Sequence, residues 1–186
     1  MSHFHPVNIP VVEYYRLNGV NFTYCWRAGC TSIAFLAKKH GAEILQEAPE
    51  ECVLLMKDPV ERFRSAQVIL PEEAHMVYGE RLIMRMPMEQ YLDGTLDDVE
   101  GVRSPHTWPQ MGQHEAVKTL HVFKLEGSTH LAGVELPHRN KTHIEKPTVA
   151  DLPRYNELLK FYEDDIKAWN DAQPLTDRIY PSGTGK

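Results

Sequence analysis

Two short segments concentrate the groups that could bind a multiply charged ligand: Tyr24-Cys-Trp-Arg-Ala-Gly-Cys-Thr-Ser-Ile33 and Val53-Leu-Leu-Met-Lys-Asp-Pro-Val-Glu-Arg-Phe-Arg-Ser-Ala66. Each reads as a strand that runs into a polar turn and then opens a helix. Each turn carries a cation and hydroxyls where a helix N-terminus presents backbone N–H groups with no partner inside the helix, an arrangement suited to phosphate. In the first turn, the N–H groups of Ala28, Gly29, Cys30, Thr31, Ser32 and Ile33 would hold an anion, and the Thr31 and Ser32 hydroxyls would add bonds. Gly29 would let the backbone approach without a side-chain clash, and Arg27 would supply the countercharge. In the second, Lys57 ends its strand beside a helix start and Ser65 lies further along that helix. Taken alone, the first turn reads rather as an ordinary strand–helix turn with a surface arginine. Two such units in one small α/β domain are what a ligand with two separate phosphates requires.

Composition narrows the class. The chain has 186 residues, 42% hydrophobic and 25% charged, which suits one globular domain with its own core. Its formal charge of −6 disfavours a general nucleic-acid binder, whose footprint is basic. The start Met-Ser-His-Phe-His-Pro lacks a signal peptide's regions and no apolar run approaches membrane-spanning length, so neither nucleic acid nor membrane is an expected partner. Cys25, Cys30 and Cys52 form no disulfide framework and fit a reducing, cytoplasmic compartment. No metal is expected from the ten histidines: His3 and His5 form a terminal pair, and no Cys or His pair follows Cys25 and Cys30 at ligand spacing.

The elements that must position the two turns follow from periodicity. Asn21–Trp26, Cys52–Met56 and Thr119–Leu125 read as core strands, with Ile44 and Leu45 in a small fourth one. Ser32–His40 reads as a helix stopped by Gly41. Asp58 reads as an N-cap, Pro59 as the first helical residue and Glu61 as the third position of a capping box. Further helices are expected from Pro71, within Met84–Gly94, and from Ser128 through Val134. The clearest is the last, where Tyr155, Leu158, Leu159, Tyr162, Ile166 and Trp169 share a face and Asp151 would cap. Residues 101–111 and 137–147 read as loops, 1–18 as an N-terminal segment and 176–186 as a flexible tail. The expected architecture is one α/β domain over residues 1–186, a three-layer fold with a small, mainly parallel sheet flanked by helices.

These segments resemble the phosphate-binding elements of the sulfotransferases that use 3′-phosphoadenosine-5′-phosphosulfate. In the carbohydrate branch the first motif reads roughly Pro-Lys-x-Ala/Gly-Cys-Thr-Ser and holds the 5′-phosphosulfate; Trp26-Arg-Ala-Gly-Cys-Thr-Ser-Ile33 is similar to it. The second reads roughly Arg-Asp-Pro-x-Glu-Arg-Phe-x-Ser-Ala and holds the 3′-phosphate; Lys57-Asp-Pro-Val-Glu-Arg-Phe-Arg-Ser-Ala66 matches every fixed position but the first. Ser104-Pro-His-Thr-Trp-Pro-Gln110 resembles the family's His-x-x-x-Gln loop, and Asn140-Lys-Thr142 with the last helix its closing elements. The likeness touches residues 21–170 in patches, without 71–100. The animal enzymes' membrane anchor and stem are missing, which points to a compact soluble form, bacterial or viral in style. The chain departs from the family by an exchange of cations: Arg27 stands for lysine and Lys57 for arginine, keeping charge while changing donor geometry.

What the resemblance implies is a P-loop-like fold and in-line sulfuryl transfer to a hydroxyl of a carbohydrate or another small polar acceptor. The co-substrate, 3′-phosphoadenosine-5′-phosphosulfate, would contact Arg27 through Ile33, Lys57, Ser65 and Lys141. Arg27 would stabilise charge on the leaving oxygen, and His106 would take the acceptor's proton, with His75 as second choice. The competing reading is a non-catalytic nucleotide-binding or structural protein that keeps the fold. The common loop Gly-x-x-x-x-Gly-Lys-Ser/Thr is absent from the first turn, which disfavours an ordinary ATP or GTP hydrolase, and a P-loop kinase is disfavoured because the loop lysine and a clear magnesium-binding carboxylate are lacking.

Overall fold

The structure, a computed structural model, describes residues 12–67, 88–97, 106–137 and 148–177. The expected helix from Pro71, the first five residues of the 101–111 loop, most of the 137–147 loop and most of the tail lie outside the described residues, as do His75, His138, Lys141 and His143.

The sheet begins earlier than the sequence reading has it. Asn18 and Gly19 sit at φ 50° and 78°, the geometry of a two-residue hairpin turn whose twist matches its flanking strands. They join β1 (Tyr14–Leu17) to β2 (Val20–Thr23) in antiparallel register, Tyr14 opposite Thr23 and Leu17 opposite Val20. With β3 (Glu43–Leu45), β4 (Glu51–Met56) and β5 (Thr119–Lys124), the order is β3-β1-β2-β4-β5. The β2–β4 and β4–β5 pairs are parallel, whereas β1–β2 and β1–β3 are antiparallel. The chain is α/β around a mixed sheet. A mainly parallel sheet describes only the β2–β4–β5 half, because the Asn-Gly hairpin folds β1 back along β2.

Helices lie on both faces. Helix α1 (Cys30–Lys39) shares a buried cluster with Phe22, Val53, Leu55 and Phe123, burying Ile33, Leu36 and Ala37. Full burial of a side chain such as Ile33 or Leu36 contributes about 1.5–3 kcal/mol. The α1 chain exit runs through Gly41, after which the Ala42 N–H bonds the Ala37 carbonyl at 2.8 Å. Helix α2 (Pro59–Gln67) packs Phe63 and Ala66 against Leu92 of α3 (Met88–Leu96) and Leu158 of α4 (Tyr155–Phe161). Helix α5 (Glu163–Asp171) meets β5 on the face opposite α1, where the Lys124 ammonium lies 4.3 Å from the Trp169 ring centre.

Two expected helices are corrected. Ser128–Val134 forms no helix but a hairpin, β6 (His130–Leu131) and β7 (Val134–Glu135), turned by Ala132 and Gly133 at φ 54° and 76°. The Ser128 hydroxyl caps nothing: it donates to the Lys124 carbonyl and accepts the Leu175 N–H. The long C-terminal helix is two, broken at Tyr162 (φ −102°, ψ 18°), and Asp151 does not cap it, since α4 starts after Arg154. Tyr162 is fully buried and its hydroxyl donates to the Thr107 carbonyl, so the break sits at a tertiary contact that helical periodicity does not register.

Candidate functional site

Both turns open at the carboxyl ends of adjacent parallel strands, the edge where open α/β sheets bind ligands. β2 stops pairing with β4 at Thr23 and Leu54, and beyond that point the two strands part. The chain after β2 turns through Trp26–Gly29 into α1. Arg27 holds φ 64°, a left-handed conformation uncommon for a side-chain-bearing residue, and Gly29 follows at φ 74° as the N-cap of α1. The left-handed angle favours glycine, and a Cβ at Gly29 would stand 3.0 Å from Leu125 Cδ1, so the Leu125 side chain would have to give a little to admit one.

The predicted anion-binding row is shorter than six. Ala28 N–H bonds the Cys25 carbonyl and Ile33 N–H bonds the Gly29 carbonyl, each at 3.0 Å, so those two donors are spent on the turn and the first helical bond. The N–H groups of Cys30, Thr31 and Ser32 lie ahead of that first bond. Thr31 is exposed, Ser32 and Ile33 are buried, and Arg27 is half-buried rather than a surface cation.

The second turn follows the sequence closely. Asp58 Oδ1 accepts the Glu61 N–H at 2.8 Å, a helix cap, and Pro59 is the first helical residue. Only half of the expected capping box forms, because the Glu61 carboxylate bonds Arg64 instead. Lys57 Nζ donates to Ser65 Oγ at 2.8 Å, and Ser65 Oγ donates to the Glu61 carbonyl at 2.7 Å. The two residues expected to hold one phosphate are therefore in contact. Glu126 at the end of β5 accepts the Asp58 N–H at 3.3 Å and the Trp169 indole N–H at 3.3 Å.

A buried polar network ties these turns together. Arg62 is fully buried, with Nε donating to the Trp26 carbonyl at 2.7 Å and Nη1 to the Trp108 carbonyl at 2.6 Å. Gln110, also fully buried, places its side-chain amide against Lys57: Oε1 accepts the Lys57 N–H at 3.2 Å and Nε2 donates to the Lys57 carbonyl at 2.8 Å. The buried Asp165 carboxylate accepts the backbone N–H groups of Gln110 and Met111. Burial pushes the Asp165 carboxyl up, while those two N–H bonds and the nearby Arg62 charge oppose that rise. Residues 106–110 are thus fastened to α2, to α5 and to the end of β4.

His106 is buried, its ring edge-on to Trp26 with centroids 5.5 Å apart. Burial, then the Arg27 and Arg62 charges, push its imidazole down to about 3, which holds it neutral at pH 7. His114 is likewise buried and pushed down to about 4, and its Nε2 lies 3.2 Å from Cys25 Sγ. Burial pushes the Cys25 thiol up to about 12, so this is a neutral pair rather than a thiolate–imidazolium one. His121 meets Glu51 at 3.2 Å, away from the turns. Among the described residues no cluster of three or more His, Cys, Asp or Glu could hold a metal ion, and no helix is long and apolar enough to cross a membrane.

The structure thus assembles Arg27 to Ser32, Lys57, Ser65 and His106 at one edge of the sheet. The sequence reading has Arg62 and Gln110 only as motif positions and Tyr162 only as part of an apolar helix face, and it misses Asp165. Asp165 belongs to the acidic run Glu163-Asp164-Asp165, which reads as solvated; its spacing from Tyr162 and Leu158, on the buried face, is the signal that could have found it. No family model, curated protein or solved structure matches this chain.

Proposed function

We propose that the chain binds 3′-phosphoadenosine-5′-phosphosulfate across its two turns, in a P-loop-like manner, and transfers the sulfuryl group to a hydroxyl of a carbohydrate or other polar acceptor. The observation that carries this reading is the contact of Lys57, in the turn before α2, with Ser65 two turns along that helix, one strand away from the left-handed turn that opens α1. A cation and a hydroxyl already in bonding distance are arranged to share one phosphate, while the α1 N-terminus offers a second anion site on the neighbouring strand. In the proposed reaction the acceptor oxygen bonds to sulfur, the bond from sulfur to the 5′-phosphate oxygen breaks, and adenosine 3′,5′-bisphosphate leaves. Arg27 and the first-turn N–H groups would stabilise charge growing on the departing oxygen, and Lys141 stays an expected nucleotide contact on the resemblance alone.

His106 is the base of this reading, neutral and so able to receive the acceptor's proton. Its burial and low basicity favour a second reading, a nucleotide-binding protein without transfer activity. The test is incubation with the phosphosulfate donor and a panel of sugars and polyols, following acceptor-dependent release of adenosine 3′,5′-bisphosphate. Release that falls by roughly 10²–10⁴ in His106→Ala, with nucleotide affinity kept within a few-fold, supports catalysis through His106. Tight donor binding without release supports the second reading, and neither binding nor release rejects both.

A further inference from the structure

Lys57 stands where β4 leaves the sheet. On the β5 side the ladder continues to the end of the strand, with Met56 opposite Lys124 and the Leu125 N–H bonded to the Met56 carbonyl at 2.8 Å. On the β2 side pairing stops at Leu54. The N–H and C=O of Lys57 meet no strand there; both are taken by the Gln110 amide, at 3.2 and 2.8 Å. One side chain does the work of a neighbouring strand at the position that carries the second-turn cation.

We propose that Gln110 is a positioning residue for recognition of a second phosphate: by holding both backbone groups of Lys57 it fixes where the ammonium stands over Ser65. This rests on the two-phosphate reading above. A lysine is a flexible four-carbon stem with a compact charge, so its placement depends on how firmly its base is held. Gln110 secures that base from a loop that is itself anchored at three points. Asp165 accepts the Gln110 and Met111 N–H groups, Arg62 donates to the Trp108 carbonyl, and Tyr162 donates to the Thr107 carbonyl. Because α2 begins at Pro59, holding Lys57 also aims the N-terminus of that helix. An amide is the group this position requires. A carboxylate could accept the N–H but would set an anionic oxygen against the carbonyl, and an alanine would leave both groups unmet.

The experiment is calorimetric titration of the full chain with adenosine 3′,5′-bisphosphate and with adenosine 5′-monophosphate, for the natural protein, Gln110→Ala, Gln110→Glu, Lys57→Ala and Lys57→Ala/Gln110→Ala. The natural chain is expected to prefer the bisphosphate. Both Gln110 variants are expected to lose about tenfold of that preference, with the monophosphate affinity within threefold of its original value. In the Lys57→Ala background, Gln110→Ala should take nothing further from the preference, because the two act through one contact. Equal losses for both ligands, an unchanged preference, or collapse of the fold in both single variants would overturn the proposal and leave Gln110 a merely structural residue. A natural chain with no preference for the bisphosphate would reject the two-phosphate reading itself, and this inference with it.

Discussion

Arg27 and Lys57 carry the same charge but stand in different surroundings, and they are expected to fail differently when removed. Lys57 reaches from the turn before α2 to Ser65, two turns along that helix, so Lys57→Ala should cost about 1.5–3 kcal/mol of binding for a ligand with a 3′-phosphate and little for one without it. Arg27 sits in the turn before α1 with its charge bearing on His106; Arg27→Ala should depress sulfuryl transfer more than ligand affinity, because charge on the leaving oxygen grows only in the transition state. Single-turnover rates beside equilibrium affinities separate the two. The buried imidazoles give a prediction in pH. His106 and His114 are pushed down to about 3 and about 4, so between those values and the ordinary 6.5 the unfolded chain binds protons that the folded one refuses. Their contribution to stability is complete above about pH 6.5 and falls as pH drops, by up to about 1.4 kcal/mol per pH unit for each ring. Asp165 acts in the opposite sense, losing stability as pH rises through its raised value. Urea midpoints at pH 7, 6 and 5 check this: His106→Asn should flatten the fall by about one proton, and an unchanged slope would remove His106 from it.

At the scale of elements, the turns depend on a few residues whose conformations no others supply well. Gly29→Ala places a Cβ 3.0 Å from Leu125 at φ 74°, and the left-handed backbone alone costs a side-chain-bearing residue about 1–2 kcal/mol. Thermal unfolding should register that loss, together with weaker anion binding at the start of α1; a variant as stable as the parent would show that the turn can move. The same features explain what could be read in advance. The α1 and α2 starts, the Asp58 cap and the β4 and β5 runs were legible because their signals are local: an apolar run, Asp-Pro, a glycine stop. The β1–β2 hairpin is equally legible in Asn18-Gly19, although the sequence reading has residues 1–18 as an N-terminal segment. Ser128–Val134 misled because Ser128 can cap a helix, but its hydroxyl is taken by the Lys124 carbonyl and the Leu175 N–H. The break at Tyr162 was not legible, since the apolar spacing runs through it unchanged and its hydroxyl's partner, the Thr107 carbonyl, lies far away in sequence.

Across the whole molecule, the two turns are fixed to each other by residues with no ligand role in the sequence reading. Arg62 runs from α2 to the first turn and to Trp108; Gln110 closes on Lys57; Asp165 reaches back from α5. Such a network is costly unless every member is satisfied, and removing one partner leaves a buried polar group without its bond, at about 1–3 kcal/mol. Its members come from four separate stretches of sequence, which is why a reading confined to local spacing recovered the cations and hydroxyls but not what holds them. With a formal charge of −6, the chain would have to concentrate positive potential locally to take an anion, and the candidates are Arg27 in the first turn, Lys57 in the second, and Arg62, which donates to the carbonyl of Trp26 next to Arg27. The central claim is that the two turns make two phosphate sites at a fixed separation. Its most direct test is calorimetry on the natural chain with adenosine 3′,5′-bisphosphate, adenosine 5′-monophosphate and ADP at equal ionic strength. The account predicts that the 3′,5′-bisphosphate binds at least about tenfold tighter than either of the others, the worth of one charge-assisted bond to the second phosphate. Binding of ADP as tight as that of the 3′,5′-bisphosphate, or no binding of either, would contradict it.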